Sequence, residues 1–407
     1  MSLIVLIIIA GLAYWFLFMR QSVTTTSSNT TSTDSTFSPF NKNGKQGTSN
    51  PNNSTSTNAS SSQAMVVPSL RLLSSTPIGG YGASTTARTT FVRWIDRGRG
   101  NILEATEGLD GIDTLSNTLL PKTYDSVWSK DLSGFIGTIL GDDDQTVSTL
   151  FASITLQATS SSDAPYQLRG KNLPDGIVSY ASSPKKDKVL LFVIQNGQGI
   201  GYVAPFNGGT AVQIFSTPIT QVNVEWPEDN TIAITTKGSA ADNGFLYFVN
   251  PKTGVWKKIL GPVAGLSTKV SHDAKYVLFS ATDGSDGLLT AIYSVASTTS
   301  SDAVIKTLAD KCAWGNFYKE VVYCAVPFKP VSGTYPDDWY RGNLSTVDKM
   351  WQLNAKTGEI HLVSSIFTEA KRNIDAYKLD LDSKDNYLFF INKGDLSFWS
   401  LDLVTAK

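Results

Sequence analysis

The sequence predicts an all-β protein whose globular part is a single β-propeller. Three observations support this fold class: a degenerate repeat in which a polar turn precedes a run of β-forming residues, a second repeated turn motif downstream of it, and the near absence of helical periodicity. The chain has 407 residues, of which 41% are hydrophobic and 11% aromatic. Such a composition can bury a large core, so we expect most of the chain to be folded.

The composition excludes several classes of function. Lys and Arg total 34 and Asp and Glu total 35, so the chain is not a basic nucleic-acid-binding protein. Two cysteines exclude a disulfide-rich scaffold and a four-cysteine zinc site. The two histidines, His272 and His361, fall in different repeats, and no Gly-x-Ser-x-Gly motif occurs. We therefore predict no catalytic residues, no metal site and no cofactor.

Three segments follow one another along the chain. Residues 1–20 contain an uncharged apolar stretch from Leu3 to Met19, which is at the lower length limit for crossing a bilayer and predicts one transmembrane anchor. A cleaved signal peptide would need a basic start and a small-residue cleavage site, and neither is evident. Residues 21–63 are rich in Ser, Thr and Asn and predict a flexible, disordered linker. Residues 64–407 form the predicted propeller.

The first turn motif divides the propeller into units. Its seven occurrences begin at Trp94, Trp128, Ser183, Trp226, Ser271, Trp314 and Leu381. Several of the steps between them are 43 or 45 residues, close to the length of a propeller blade. The second motif, Asn-x-Lys-Thr-Gly at Asn250 and Asn354, adds a second hairpin to a unit, which makes four antiparallel strands. The sequence thus predicts seven blades and leaves six or eight open.

The last unit predicts how the ring closes. Asp402 aligns with Asn250 and Asn354, so this unit ends in the turn after its third strand and lacks its outer strand. An unpaired sheet edge is a liability that proteins usually cover. We therefore expect a strand from residues 66–75, before the first repeat, to pair with Leu396–Leu401 and complete the last blade.

Two repeats carry a recognisable family pattern. Residues 183–192, Ser-Pro-Lys-Lys-Asp-Lys-Val-Leu-Leu-Phe, and 271–280, Ser-His-Asp-Ala-Lys-Tyr-Val-Leu-Phe-Ser, resemble the TolB-type, WD-like propeller repeat, whose turn usually reads Ser/Trp-Pro-Asp-Gly-Lys. The whole layout also resembles bacterial proteins with an N-terminal anchor and one propeller. TolB is a soluble periplasmic protein that binds partners, so the resemblance implies partner binding outside the cytoplasm.

The two cysteines predict a disulfide. Cys312 and Cys324 flank the turn Gly315–Glu320, and a hairpin that pairs residue 314 with 322 also pairs 312 with 324. Directly opposed side chains lie within reach of a disulfide, which would fit an oxidising compartment. The alternative is a pair of small buried thiols.

A long insertion supplies the candidate binding residues. Residues 328–349 interrupt the sixth unit between its second and third strands, and loops of this length are often functional. Aromatic side chains among a few charged ones are typical anchors for peptide, glycan or protein surfaces. The alternative is that Trp339 folds back over the blade edge. The candidates are Tyr335, Asp337, Asp338, Trp339, Tyr340 and Arg341.

The predicted function follows from these parts. We expect a membrane-tethered, extracytoplasmic and non-catalytic module that binds a protein or glycan, with the membrane contacted through its N-terminal helix and no nucleic-acid partner. One alternative is a structural component of a cell-envelope assembly. Another is a lyase or hydrolase that acts on a glycan or peptide at the central channel, which would require carboxylates, His or Tyr to converge there.

Overall fold

The computed structural model describes residues 69–157, 166–284 and 287–405. These residues form antiparallel sheets arranged around a central channel, with two short α-helices, α1 (Asp337–Arg341) and α2 (Ile366–Ala370), and a 3-10 helix at Ala309–Lys311. The strands are β1 (Leu70–Ser74), β2 (Ile78–Thr85), β3 (Thr90–Asp96), β4 (Ile102–Thr106), β5 (Asp113–Ser116), β6 (Thr123–Trp128), β7 (Gly134–Leu140), β8 (Val147–Leu156), β9 (Tyr166–Asn172), β10 (Ile177–Ser182), β11 (Lys188–Gln195), β12 (Gln198–Pro205), β13 (Val212–Thr217), β14 (Val222–Glu228), β15 (Thr231–Thr236), β16 (Asn243–Val249), β17 (Trp256–Ala264), β18 (Ser267–Val270), β19 (Tyr276–Thr282), β20 (Leu288–Ser294), β21 (Thr299–Asp302), β22 (Cys312–Trp314), β23 (Val321–Pro327), β24 (Asp348–Asn354), β25 (Ile360–Ser364), β26 (Ala376–Leu381), β27 (Tyr387–Asn392) and β28 (Phe398–Asp402).

The sheet organisation corrects the predicted blade count. Four-stranded sheets are formed by β10–β13, β14–β17, β18–β21, β22–β25 and, in the order β1-β28-β27-β26, by the two ends of the described chain. The remaining sheet has eight strands in the order β2-β3-β4-β5-β9-β8-β7-β6. It is continuous because a parallel bridge between Ser116 and Tyr166 joins the outer strands of its two halves. The prediction of seven separate blades is therefore wrong: the described residues form five four-stranded blades and one eight-stranded sheet.

The first repeat was also misaligned. Trp128 and Trp314 end the first strands of their units, β6 and β22, but Trp94 lies in β3, a second strand. The position that corresponds to Trp128 is Thr85, which pairs with Thr90 across the first turn of its unit. Counted from Thr85 and not from Trp94, the first step to Trp128 is 43 residues and not 34. Trp94, Trp128 and Trp314 are all buried.

The repeated turn is held by a bond from a side chain to the backbone. The Ser183 hydroxyl accepts a hydrogen bond from the backbone N–H of Lys188 at 3.0 Å, and the Ser271 hydroxyl accepts one from that of Tyr276 at the same distance. Ser side chains stabilise turns in this way because they bond to nearby backbone groups. One position of this turn adopts a left-handed backbone conformation in three units, at Lys186, Ala274 and Asp385.

Strand β1 closes the ring as the sequence predicted. It pairs antiparallel with β28, with Leu70 opposite Leu401 and Leu72 opposite Trp399. Asp402 then accepts hydrogen bonds from the backbone N–H groups of the next turn, as Asn250 and Asn354 do in theirs. The last unit therefore receives its outer strand from the other end of the propeller.

The predicted anchor and linker, residues 1–20 and 21–63, lie outside the described residues. Within the described part of the chain, no helix is both long enough and apolar enough to cross a membrane. The transmembrane helix included in the predicted fold class is therefore not found there.

A buried ion pair fastens β1 to the end of β4. Arg71 donates hydrogen bonds to the carbonyls of Thr106 and Gly111 at 3.1 Å, and its guanidinium lies 3.8 Å from the carboxylate of Glu107. The second carboxylate oxygen of Glu107 is buried and has no hydrogen-bond partner among the described residues. Burial raises the pKa of Glu107 from 4.5 to about 7, against the opposing attraction of Arg71. The nearby carboxylates of Asp382 and Asp402 raise it further, and a hydrogen bond with the Ser400 hydroxyl lowers it.

Two neighbouring leucines test the closure. Leu73→Ala removes a side chain that is 1% exposed and packs among Ile78, Val92 and Phe389, so we expect the free energy of unfolding to fall by about 2–5 kcal/mol. Leu72→Ala, in the same strand but at a side chain 41% exposed, is expected to cost less than about 1 kcal/mol. Urea unfolding followed by tryptophan fluorescence measures both. Equal losses would contradict the packing of β1.

The raised pKa of Glu107 predicts that the stability of the folded protein depends on pH. Between about pH 4.5 and 7 the folded protein keeps a proton on this carboxyl group that the unfolded chain has lost, so the contribution of Glu107 to stability falls as pH rises through this window. Glu107→Gln mimics the protonated form at every pH. We therefore expect the unfolding free energy of Glu107→Gln, relative to that of the natural protein, to be about 1–3 kcal/mol higher at pH 8 than at pH 5. Urea unfolding at both values measures this gain, with the exposed Glu359→Gln as control. A constant difference between the natural protein and Glu107→Gln would contradict it.

Candidate functional site

A cavity of about 490 Å³ lies in the central channel, near the C-terminal ends of most inner strands. The first strand of every blade contributes to its wall, as do β2 and β6 of the eight-stranded sheet and β26 of the closing blade. Its charged or titratable lining residues, besides Tyr81 and Tyr180, are Asp125, Lys186, Glu225, Lys269, His272, Lys319, Lys378 and Asp380.

The pleat of the inner strands places charges in the channel. Lys378 and Asp380 are two residues apart in β26 and therefore lie on one face, whereas Leu379 between them is buried in the hydrophobic core. Lys269 likewise precedes the buried Val270 in β18. Charged and apolar residues therefore alternate along these strands, and Leu379 and Val270 pack in the core while they also border the cavity.

Three ion pairs form among residues of different units that line the cavity. The Lys378 ammonium lies 2.5 Å from the Asp125 carboxylate, that of Lys269 lies 3.5 Å from Glu225, and that of Lys186 lies 3.7 Å from Asp380. Lys319, in the turn after β22, has no carboxylate within ion-pair distance in the described part of the chain. Four lysines therefore face three carboxylates, and the lining carries a positive excess.

Burial adjusts the titration of this lining. It raises the pKa of Glu225, against the attraction of Lys269, and the charge of Glu225 in turn raises the pKa of Lys269. Burial lowers the pKa of His272 below its usual 6.5, so this imidazole is neutral at pH 7. At neutral pH, Lys269 is therefore charged and His272 adds no charge to the lining.

Two tyrosines are fixed by bonds within the protein. Tyr81 donates to the carbonyl of Lys378 at 2.5 Å, and the hydroxyl of Tyr180 lies 2.8 Å from that of Thr138. Burial raises the pKa of both phenols well above 10, so both remain protonated at neutral pH. They shape the wall and add neutral polar groups to a charged site.

The sequence reasoning missed this site. None of the residues that line the cavity was among the predicted binding residues, and His272 was noted only for lying in a different repeat from His361. A signal was present, because charged residues occupy alternate positions near the ends of the first strands, as at Lys378 and Asp380. Each strand contributes only one or two such residues, so no single segment of sequence looks like a site.

The inserted segment (residues 328–347, between β23 and β24) lies across the opposite ends of the inner strands. The Asp337 carboxylate accepts a hydrogen bond from the backbone N–H of Ala240, in the loop between β15 and β16, at 2.7 Å. The Tyr340 hydroxyl donates to Asp310, just before β22, at 2.9 Å. The segment therefore bridges from the β14–β17 blade across the starts of β18 and β22.

Trp339 anchors this segment inside the protein. Its side chain is 3% exposed, packs with Leu308, Tyr335 and Leu344, and donates a hydrogen bond to Asp375 at 3.1 Å. Beneath it, the fully buried Lys311 pairs with Asp375 and, at 2.8 Å, with Asp348. The ammonium groups of Lys311 and Lys393 lie 5.4 and 5.0 Å from the centroid of the indole ring.

The six predicted binding residues divide by exposure. Tyr335 and Trp339 are buried, as in the alternative in which Trp339 folds back onto the blade, while Tyr340 and Arg341 are exposed. Asp337 and Asp338 accept hydrogen bonds from backbone N–H groups. None of the six lines the channel cavity. A binding role for the exposed residues stays a prediction.

The two cysteines occupy the predicted register. Cys312 in β22 lies opposite Cys324 in β23 with a distance of 4.1 Å between their Cα atoms, and a disulfide joins them. Both residues are buried. Acidic residues also occur in two hairpin turns, at Asp143 between β7 and β8 and at Asp283 between β19 and β20. No cluster of His, Cys, Asp or Glu that could hold a metal occurs among the described residues.

Comparison with solved structures identifies similar folds. TolB from Acinetobacter baumannii matches 64% of this chain and 58% of its own chain at 10% identity, with a TM-score of 0.41. The β-propeller domain of the Trilobed protease from Pyrococcus furiosus matches 79% and 94% at 12% identity, with a TM-score of 0.49. A xyloglucanase from Xanthomonas campestris matches 82% and 53% at 11% identity, with a TM-score of 0.51.

The likeness to the xyloglucanase concerns the fold alone. TolB and the Trilobed protease propeller are among the structures similar to this chain, as the predicted resemblance to TolB-type propellers implies. The chain spans little more than half the length of the TolB and xyloglucanase chains it matches. No protein-family model matches the chain, and no curated protein sequence matches it.

Two lysines beside the same tryptophan test how the inserted segment is held. Lys311→Met leaves the buried carboxylates of Asp348 and Asp375 without their counter-ion, so we expect it to cost about 3–5 kcal/mol of unfolding free energy. Lys393→Met removes a more exposed cation over the same ring and is expected to cost less than about 1 kcal/mol. Urea unfolding measures both, and equal losses would contradict a structural role for Lys311.

Proposed function

We propose that the protein is an extracytoplasmic binding module, without catalytic activity of its own, that holds a carboxylate group of a glycan or protein partner in the channel cavity. The observation that carries the proposal is the excess of lysine over carboxylate in a cavity of about 490 Å³. A cavity of this size with convergent polar groups is a usual form of ligand site.

The electrostatics of the cavity support an anionic ligand. The pairs at Asp125, Glu225 and Asp380 neutralise three lysines, which leaves Lys319 free to bind an incoming carboxylate. Lys319 is exposed at the cavity, where an anion from solvent can reach it, and the positive excess of the lining attracts anions. The inserted segment lies at the other end of the inner strands, so the ligand would enter from the face that carries Lys319.

The Cys312–Cys324 disulfide supports a location outside the cytoplasm, because disulfides persist in oxidising compartments. Protein taken directly from cells can be denatured without a reductant and treated with a maleimide. We expect neither cysteine to react. Two reactive thiols would contradict that location.

Binding by the full-length protein tests the proposed function. Isothermal titration calorimetry with an oligouronate and with a hexaglutamate peptide separates a glycan source of the carboxylate from a protein source. We expect saturable binding of at least one probe, weakened by added salt. Lys319→Gln should reduce the affinity by about tenfold.

Lys356→Gln is the matched control, because Lys356 is exposed in the turn between β24 and β25 and does not line the channel. Binding of neither probe, or equal binding by the two variants, would refute the proposal. Chromatography of the probes after incubation supplies a further arm. If the oligouronate or the peptide is shortened, the proposal of a non-catalytic binding module is wrong and the lyase or hydrolase alternative is favoured.

A further inference from the structure

A second cavity lies between two neighbouring sheets, away from the channel. Its volume is about 850 Å³, and it separates the β6–β9 half of the eight-stranded sheet from the β10–β13 blade. Its walls are largely apolar. The apolar lining residues are Ile136, Phe151, Leu173, Pro174, Ile177, Leu191, Val193, Tyr202, Ala204, Pro205 and Ala211.

Small residues at the turn between β12 and β13 leave this space open. Gly208 has a φ of 71°, and a Cβ atom added there would lie 2.9 Å from the Phe151 ring. Thr210 and Ala211 follow in the same wall and are also small. Phe151, Val189 and Phe206 pack in one cluster between the sheets, and the cavity lies beside this cluster, with Phe151 in its wall.

The polar rim of the cavity has one charge. Lys171, at the end of β9, is exposed, and its ammonium contacts only the carbonyl of Gly208 at 3.4 Å among the described residues. No Asp or Glu is among the residues that line the cavity. An apolar interior beside an unpaired lysine is complementary to a molecule that has an aliphatic chain and an anionic head.

We propose that this cavity binds a small amphipathic anion, a single aliphatic chain that ends in a carboxylate. The chain lies between the sheets against Phe151, Leu191 and Val193, and the carboxylate lies at the Lys171 ammonium. Burial of the chain removes apolar surface of both partners from water, which supplies the affinity. The lysine fixes the orientation of the ligand. This site is independent of the channel.

Titration of the full-length protein with dodecanoate, below its micelle-forming concentration, tests the site. We expect saturable binding of one molecule per chain. Lys171→Glu reverses the charge at the rim and should reduce the affinity for dodecanoate by about tenfold. The same variant should bind dodecyltrimethylammonium, which has the same chain and a cationic head, more tightly than the natural protein does. Ile177→Trp fills the cavity and should remove binding of both amphiphiles.

Two controls keep the outcome decisive. Lys258→Glu makes the same charge reversal at an exposed position of β17, in another blade, and should leave dodecanoate binding unchanged. Lys319→Gln alters the channel and should also leave it unchanged. No saturable binding, or equal affinity of Lys171→Glu and Lys258→Glu for dodecanoate, would overturn the proposal. The comparison of these two surface variants decides the question even where Ile177→Trp fails to fold.

Discussion

The rest of the structure depends on the pairing of β1 with β28. Each sheet of the ring buries both of its faces against neighbours, so the first and last sheets would each expose an apolar face if the ring were open. The pairing prevents this by placing Leu73 in a cluster that includes Ile78 of β2 and Phe398 of β28. The strands that meet are separated by almost the whole propeller, and closing so long a loop carries an entropic cost that these contacts must offset. Arg71 adds a polar connection to the first sheet at the same place.

The closed ring fixes what each strand residue can do. Along an inner strand, charged side chains that line the channel alternate with apolar side chains that pack in the core, so the same few residues build both the core and the site. Leu379 and Val270 pack in the core, while Lys378 and Lys269 beside them face a partner carboxylate. A substitution that reverses a channel charge can therefore leave the core intact. This alternation lets charged side chains line the channel of a protein whose stability depends on apolar packing.

Local patterns in the sequence predicted local structure well. The turn residues, the hairpins, the opposition of Cys312 and Cys324 and the pairing of β1 with β28 all followed from spacing and the period of a strand. The blade count failed because the bridge between Ser116 and Tyr166 joins residues of two units and has no motif. Trp94 was misaligned because a buried tryptophan suits a second strand as well as a first. The channel site was missed for a related reason, since its residues are spread over all the inner strands.

The inserted segment shows why composition alone cannot separate a binding loop from a structural one. Aromatic and acidic residues suit both an external partner and an internal one, and here the internal partners, Asp375 and Ala240, are distant in sequence from Trp339 and Asp337. A buried charge cluster such as that of Lys311 contributes little net stability, but it tolerates few alternative arrangements because each unpaired charge would be costly. It therefore holds the segment in one position over the starts of the inner strands.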